Sequence, residues 1–294
     1  MKKPIATMLL FGLLVVIALA ACDIQPSPPT PTPVPSPTPT VPTPTPVPTN
    51  TPVPTPTPQP AEFVWRITGE PNPFDTPSGI DVDRAGNLYV VDAANHRIQN
   101  FDHDGKFINM WGEQGHEDGQ FEFTYDHPLG NLVLGGVAVD SQDNIYVTDL
   151  ANARVQKFDP TGKFLGKWGE HGRLQGKLQL PYGIAVDSTS NVYVSDFENY
   201  WGMKFDPNGK WITDLEPFGI PGFIAVDSHD NIYITDFEAH AVRKFDSTGK
   251  LVLDWGKPGE GDGEFTNPLG IAVDSHDNVY VGETGNPRIQ KFDS

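Results

Sequence analysis

Carboxylates recur at fixed places between residues 83 and 293, and they are the side chains most able to do chemistry in this chain. Carboxylates can bind metal ions, but at turns they more often accept hydrogen bonds from backbone N–H groups. One set ends the first apolar run of each repeat: Asp83, Asp140, Asp187, Asp227 and Asp274. A second set ends the next run: Asp92, Asp149, Asp196, Asp236 and Glu283. A third set opens a tight turn: Asp102, Asp159, Asp206, Asp246 and Asp293. We expect all three sets to stabilise turns rather than to bind metal.

The second set of acids belongs to a loop motif, D-x-x-N-x-R. Asp149, Asn152 and Arg154 show the motif in full, and Glu283 and Arg288 keep its acid and its base. Because arginine presents several N–H groups in a fixed plane, such a pair can hold adjoining backbone in place. The motif is therefore interpreted as a brace between neighbouring loops.

Two consecutive repeats depart from this motif and carry aromatic residues there. Residues 196–201 read D-F-E-N-Y-W, with Trp201 at the arginine position, and residues 236–241 read D-F-E-A-H-A. Aromatic side chains edged by carboxylates are typical of recognition surfaces. The candidate ligand- or partner-binding residues are Phe197, Glu198, Tyr200, Trp201, Phe237, Glu238 and His240. The alternative is that these aromatic side chains pack on one another in place of the lost arginine.

The sequence around the acids predicts four short strands per repeat. In the copy from Gly136 to Gly169, two apolar runs each end in an acid, an alternating run follows, and a last strand ends at Trp168. Alternation indicates a half-buried strand, and the D-P-T-G sequence at 159–162 suits a tight turn. Inner strands that are more apolar than the outer one are typical of a propeller blade. The predicted fold is therefore all-β, a β-propeller of four-stranded antiparallel blades.

A tyrosine marks each copy of the repeat, at a spacing close to a blade length: Tyr89, Tyr146, Tyr193, Tyr233 and Tyr280. The shared core Y-V-x-D-x-x-N-x-R-I-Q-x-F-D resembles the NHL repeat, whose members form β-propellers, over about residues 62–294. The copies predict five blades, and six stays open because six is commoner in that family. Phe63–Ile67 matches a fourth strand, whereas the last copy lacks one. We expect this N-terminal strand to pair with the C-terminal blade and close the ring.

The connection between the first two blades is longer than its equivalents. Residues 113–135 add Phe123, Tyr125, His127 and Leu132 to a stretch that matches residues 261–265. Loops on a rigid scaffold often carry function, so this insertion is either functional or simply a longer loop.

The resemblance implies more than one class of function. Related propellers include recognition domains, lactonases that hold calcium with acids in the central channel, and amidating lyases that hold a metal with histidines. His96 and His240 occupy equivalent loop positions, while His229 and His276 lie in turns, and two histidines do not make a zinc site. We assign no catalytic residue, no metal ligand and no cofactor, and leave open an unknown divalent metal in the central channel.

The favoured function is a binding, recognition or scaffold module for protein, peptide or glycan ligands. The alternatives are a metal-dependent extracellular lyase or lactonase, and a sensor domain for a signalling partner. A net charge of −18 argues against nucleic-acid binding, because that binding needs a basic surface. The single cysteine, Cys22, excludes a Cys-based zinc module. We expect a monomer.

The N-terminus is typical of an exported protein. Lys2 and Lys3 precede an apolar run that ends at Ala21, as in a secretory signal. Residues 19–22, L-A-A-C, resemble the lipobox of bacterial lipoproteins, which implies cleavage after residue 21 and lipidation of Cys22; an uncleaved membrane anchor is the alternative. Residues 22–60 are rich in Pro and Thr and should form an extended, disordered stalk. The propeller would then occupy residues 61–294, displayed outside the cytoplasm and lipid-anchored to the cell membrane or envelope.

Overall fold

The computed structural model describes residues 66–67, 72–127, 130–215 and 219–293, which form five β-sheet blades and one extra hairpin. Blade one contains β1 (Pro77–Val82), β2 (Leu88–Asp92), β3 (Arg97–Phe101) and β4 (Phe107–Trp111). The hairpin contains β5 (Thr124–His127) and β6 (Gly130–Val133). Blade two contains β7 (Val137–Val139), β8 (Ile145–Asp149), β9 (Arg154–Phe158) and β10 (Phe164–Trp168). Blade three contains β11 (Pro181–Val186), β12 (Val192–Asp196), β13 (Trp201–Phe205) and β14 (Trp211–Leu215). Blade four contains β15 (Pro221–Val226), β16 (Ile232–Asp236), β17 (Ala241–Phe245) and β18 (Leu251–Trp255). Blade five contains β19 (Pro268–Val273), β20 (Val279–Glu283) and β21 (Ile289–Phe292).

Each blade is an antiparallel meander whose strand order follows the chain. The first strands of consecutive blades contact one another in the order β1, β7, β11, β15 and β19, so the first strand of each blade is the innermost. The prediction of an all-β propeller with five blades is therefore confirmed. The only helix in the described ranges is one 3-10 turn at Ala93–Asn95, and none is long and apolar enough to cross a membrane.

Apolar side chains are buried between blades rather than within them. Blades one and two share one cluster, which includes Tyr89, Ile98 and Phe158, and blades two and three share another around Tyr146 and Val155. Equivalent clusters join blades three and four, and four and five. The β-branched and aromatic runs form these strands because such side chains pack well on a pleated surface. Each blade thus depends on its neighbour for its core.

The first set of acids holds the turn between the two innermost strands. Asp140 Oδ1 accepts hydrogen bonds from the backbone N–H groups of Gln142 and Asn144, both at 2.9 Å. Its other oxygen, Oδ2, accepts a hydrogen bond of 2.9 Å from the Tyr146 hydroxyl. In the third set, Asp159 Oδ1 accepts from the backbone N–H groups of Thr161 and Lys163. The expected structural role of these acids is confirmed.

The second set of acids is buried and ties each blade to the loop that leads into it. Asp149 accepts a hydrogen bond of 2.7 Å from the backbone N–H of Glu122 and another of 2.7 Å from Arg154 Nε. Arg154 then donates to the carbonyl oxygens of His116, Glu117 and Gln120 in the same loop. The expected brace is confirmed, because one Asp–Arg pair fixes a loop that has no regular structure of its own.

The predicted ring closure cannot be followed in the described residues. Phe63 to Trp65 lie outside them, and Arg66 and Ile67 form no strand. Blade five has three strands, and no apolar cluster of described residues joins it to blade one. The expectations for the signal segment 1–21, for lipidated Cys22 and for the stalk 22–60 also lie outside the described residues.

Asp149→Ala should lower the free energy of unfolding by about 3–5 kcal/mol, because it leaves the buried Arg154 guanidinium without its carboxylate. Asp118→Ala is the matched control, since Asp118 pairs with Lys167 at 2.6 Å but both side chains are about half exposed. That exposed pair should contribute at most about 1 kcal/mol. Urea denaturation measures the free energy of unfolding of both variants. Equal losses in the two variants would contradict the role of the Asp149–Arg154 pair as a brace.

Alkaline pH should destabilise the propeller through its repeated tyrosines. Burial and the neighbouring Asp83 raise the pKa of Tyr89 to about 12, and burial together with Asp140 raises the pKa of Tyr146. A tyrosine in the unfolded chain loses its proton near pH 10. The buried, protonated tyrosines therefore contribute fully to the free energy of unfolding below about pH 10, and this contribution is lost as the pH rises above it. Tyr146→Phe should make the loss less steep, at a cost of about 1 kcal/mol at neutral pH for the missing hydrogen bond. Denaturant midpoints at a series of pH values measure the pH dependence of stability for the native protein and for Tyr146→Phe. Parallel curves for the two proteins would refute the role of Tyr146.

Candidate functional site

The candidate residues of blade three point in two directions. Phe197 is half-buried and packs with an apolar cluster that includes Leu132 of the hairpin, and Glu198 lies beside it. Trp201 is also half-buried, but it packs against the core shared by blades two and three. Tyr200 occupies the left-handed region with φ 65°, and its backbone N–H donates to the carbonyl oxygen of Asp196. Only Phe197 and Glu198 therefore approach the inserted hairpin.

Among the described residues, the apolar cluster around Leu132 contains none of the candidate residues of blade four. His240 Nδ1 accepts a hydrogen bond of 3.1 Å from the backbone N–H of Asn267, in the loop that leads into blade five. His96 makes the equivalent contact in blade one, where Nδ1 accepts from the backbone N–H of Phe123 at 3.3 Å. Phe237 is half-buried and Glu238 is exposed on the same loop as His240. The two histidines at this loop position thus connect a blade to the following loop.

Blade four lacks the arginine at position 241, but an arginine at another position pairs with its acid. Arg243 Nη2 lies 2.8 Å from Asp236 Oδ2, in a buried ion pair. Arg243 is two residues further along β17, and side chains two apart point to the same face of a strand. The sequence motif missed this replacement because it expects the arginine only at the loop end.

The insertion between blades one and two forms the β5–β6 hairpin, and the hairpin packs on the loop ends of blades two and three. Leu132 is buried with Leu150, Leu180 and Tyr182, and Tyr125, Phe197 and Phe223 pack around them. Tyr182 and Phe223 belong to the inner strands β11 and β15. Inner strands line the central channel of a propeller. This apolar cluster therefore lies at one mouth of the channel, beside blades three and four.

A small cleft opens between the hairpin and blades two and three. Its volume is about 100 Å³, and it is lined by Tyr125, Ala151, His171, Gln179, Leu180 and Glu198. The lining combines the phenol ring of Tyr125 and two apolar side chains with the polar side chains of His171, Gln179 and Glu198. Binding sites commonly have this composition, in which apolar walls carry a few convergent polar groups.

Four polar contacts hold the wall of this cleft. Glu198 Oε1 lies 3.6 Å from His127 Nε2 of the hairpin, and Glu198 Oε2 lies 3.4 Å from Arg173 Nη2. Arg173 Nε donates a hydrogen bond of 2.7 Å to Gln179 Oε1. The backbone N–H of Gln179 donates to Asp196 at 2.6 Å. The structural acid of blade three therefore also fixes the backbone at Gln179, one of the residues that line the cleft.

One group of His and acid side chains in the described ranges could hold a metal ion: Asp227, His229 and Asp277. It lies at the turns between the two innermost strands of blades four and five, not in the cleft. Asp277 already accepts hydrogen bonds from the backbone N–H and the hydroxyl of Ser228. Asp227 accepts from the backbone N–H groups of His229 and Asn231. These contacts give the group a structural role in the turns.

Leu132→Ser should detach the hairpin without unfolding the blades, because Leu132 is the buried contact of β6 with the propeller. Hydrogen exchange of residues 124–133 should become several-fold faster, while β8 and β12 stay protected. Leu165→Ser is the control, since Leu165 is an exposed leucine on an outer strand. Unchanged exchange in the hairpin would show that other contacts hold it.

Four segments of the chain match the NHL repeat: residues 74–101, 134–158, 218–245 and 265–292. They correspond to the first three strands of blades one, two, four and five. Human NHL repeat-containing protein 3 is 32% identical over 102 residues, which are 33% of this chain and 26% of that protein. The chain thus aligns with about a quarter of the length of this relative.

Solved structures share the fold at low sequence identity. Virginiamycin B lyase from Staphylococcus aureus, crystallised with quinupristin, has a TM-score of 0.54 and 16% identity, covering 74% of this chain and 70% of the lyase. A nidogen/laminin complex contains a chain with a TM-score of 0.52 and 17% identity, covering 70% of this chain and 72% of that one. These similarities concern the propeller architecture alone.

Proposed function

Because the chain folds as a β-propeller built on NHL repeats, we propose that it is a recognition module that binds a protein, peptide or glycan ligand at the hairpin cleft. The observation that carries the proposal is the packing of the inserted hairpin over blades two and three. This packing leaves a cleft in which Tyr125, His171, Gln179 and Glu198 face a common space.

The cleft has the features that a recognition site needs. Tyr125 offers a flat apolar face, while Gln179 and Glu198 offer donors and acceptors that are already oriented by their neighbours. Arg173 contacts Glu198 and Gln179 and is itself exposed, so a larger ligand can extend its contact beyond the cleft. Preorganised polar groups bind more tightly because less side-chain freedom is lost on binding.

The proposed setting is outside the cytoplasm, on a lipid anchor at Cys22. The basic start, the apolar run and the L-A-A-C sequence support export and lipidation. The Pro/Thr-rich residues 22–60 would hold the propeller away from the membrane, as an extended spacer does. A monomer suffices for this function, because the cleft is built from one chain.

The alternative function, a metal-dependent lyase or lactonase, requires a metal held by side chains of the central channel. Metal analysis of the purified chain tests it directly. One equivalent of a divalent metal, lost on substitution of channel-lining acids, would favour the enzyme. The same protein can be screened against peptide and glycan arrays, where selective binding would favour recognition.

Glu198→Ala should weaken ligand capture on such an array about tenfold or more, because it removes the carboxylate that His127 and Arg173 orient. Glu238→Ala is the matched control, since Glu238 occupies the equivalent position in blade four but does not line the cleft. Equal losses in the two variants would instead favour a wider site over blades three and four. Unchanged binding by Glu198→Ala would show that the cleft is not the ligand-binding site.

A further inference from the structure

The hairpin cleft has room for one ligand side chain rather than for a whole molecule. Its volume is about 100 Å³, whereas pockets that enclose a drug-sized ligand measure roughly 300–1,000 Å³. Tyr125 forms an aromatic wall, and Gln179 and Glu198 bring an amide and a carboxylate to the same space. The charge around the cleft then decides which kind of side chain it accepts.

Acidic residues surround the cleft. The segments that form and adjoin it, residues 113–127, 169–180 and 196–200, contain eight acids and two basic residues, Arg173 and Lys177. Lys177 forms an ion pair with Glu170 of its own loop. A cleft edged by charges of one sign attracts ligands of the opposite sign and raises their local concentration. The surroundings of the cleft therefore favour a cationic ligand group.

Blade three also holds a buried carboxylate next to the cleft, without the arginine that braces other blades. Asp149 of blade two accepts a hydrogen bond from Arg154, but blade three has Trp201 at the arginine position. Asp196 instead accepts hydrogen bonds from neutral donors, which are the backbone N–H groups of Gln179, Leu180 and Asn199 and the side-chain amide of Asn199. Burial raises the pKa of Asp196, against the lowering effect of these hydrogen bonds. A cation in the cleft, whose lining includes Gln179 and Leu180, would stabilise the ionised carboxylate.

Arg173 shows how the polar residues of the cleft receive a guanidinium group. Its Nε donates a hydrogen bond of 2.7 Å to Gln179 Oε1, and its Nη2 lies 3.4 Å from Glu198 Oε2. The Arg173 side chain is 64% exposed, and an exposed ion pair of this kind contributes little to stability. An arginine from a ligand can therefore displace Arg173 from the same two acceptors at low cost.

We infer that the cleft binds an arginine side chain of a peptide or protein ligand. The inference rests on the proposed function and names the class of ligand that the same site takes. The guanidinium of the ligand donates to Gln179 Oε1 and to the Glu198 carboxylate in place of Arg173, and its plane lies against the Tyr125 ring. Arginine fits better than lysine, because its planar group donates to two acceptors at once and stacks on an aromatic ring.

A random-peptide array probed with the full-length chain tests the inference. Peptides that the chain captures should be enriched in arginine. Replacing that arginine with citrulline keeps the shape of the side chain but removes its charge, and it should weaken capture about tenfold or more because charge-assisted hydrogen bonds are lost.

Three variants of the full chain identify the acceptor and the competitor. Glu198→Gln should weaken the capture of the arginine peptides about tenfold, because the acceptor loses its charge. Arg173→Ala should strengthen it several-fold, because this variant removes the internal competitor, and a misfolded chain cannot produce such a gain. Lys177→Ala is the matched control, since Lys177 is a cation of the same loop that pairs with Glu170 and does not line the cleft. Its effect on capture should be less than about twofold.

Enrichment of acidic peptides that bind Arg173→Ala more weakly would overturn the inference, because the cleft would then bind anions through Arg173. Capture of glycans alone, lost in Glu198→Gln, would also overturn it but would leave the recognition function in place. Arginine peptides whose capture is unchanged in Glu198→Gln would overturn it as well, since they would report a general attraction to an acidic chain. If no peptide or glycan depends on Glu198, the proposed function fails and the inference fails with it.

Discussion

A blade of this propeller can bury its apolar side chains only against the next blade. Each sheet has three or four short strands and an apolar face on either side, which is too little to form a core alone. The clusters of described residues accordingly span consecutive blades, and each contains one of the repeated tyrosines, Tyr89, Tyr146, Tyr193 or Tyr233. The stability of any blade therefore depends on the presence of its neighbours, as in other repeat architectures.

The acidic composition follows from the same architecture. Short strands need many turns, and each turn leaves backbone N–H groups that must find acceptors. Aspartates at the three repeated positions supply these acceptors, so much of the charge of −18 is engaged in hydrogen bonds inside the fold. The buried acids of the second set have an additional role, because they fix the loops that lead into the blades. The polar wall of the hairpin cleft is positioned through one of them, Asp196.

The cleft depends on an insertion rather than on the repeat itself. The cleft is made by an insertion, and the inserted hairpin is held by an apolar contact at Leu132 and a polar contact between His127 and Glu198.

The sequence alone determined the blades, their strands and the structural role of the acids, because these depend on alternation, turn chemistry and a repeat that is local in the chain. It also placed the brace of blade two, since Asp149 and Arg154 are only five residues apart. It could not show that Arg243 pairs with Asp236 in blade four, because the repeated motif places an arginine only at the loop end of this strand. Nor could it join Tyr125 and His127 to Glu198, because residues more than 70 positions apart meet only when the ring brings their loops together. The seven candidate residues were chosen for their types, but packing between blades decided that Phe197 and Glu198 reach the cleft region while Trp201 and His240 contact other parts of the scaffold.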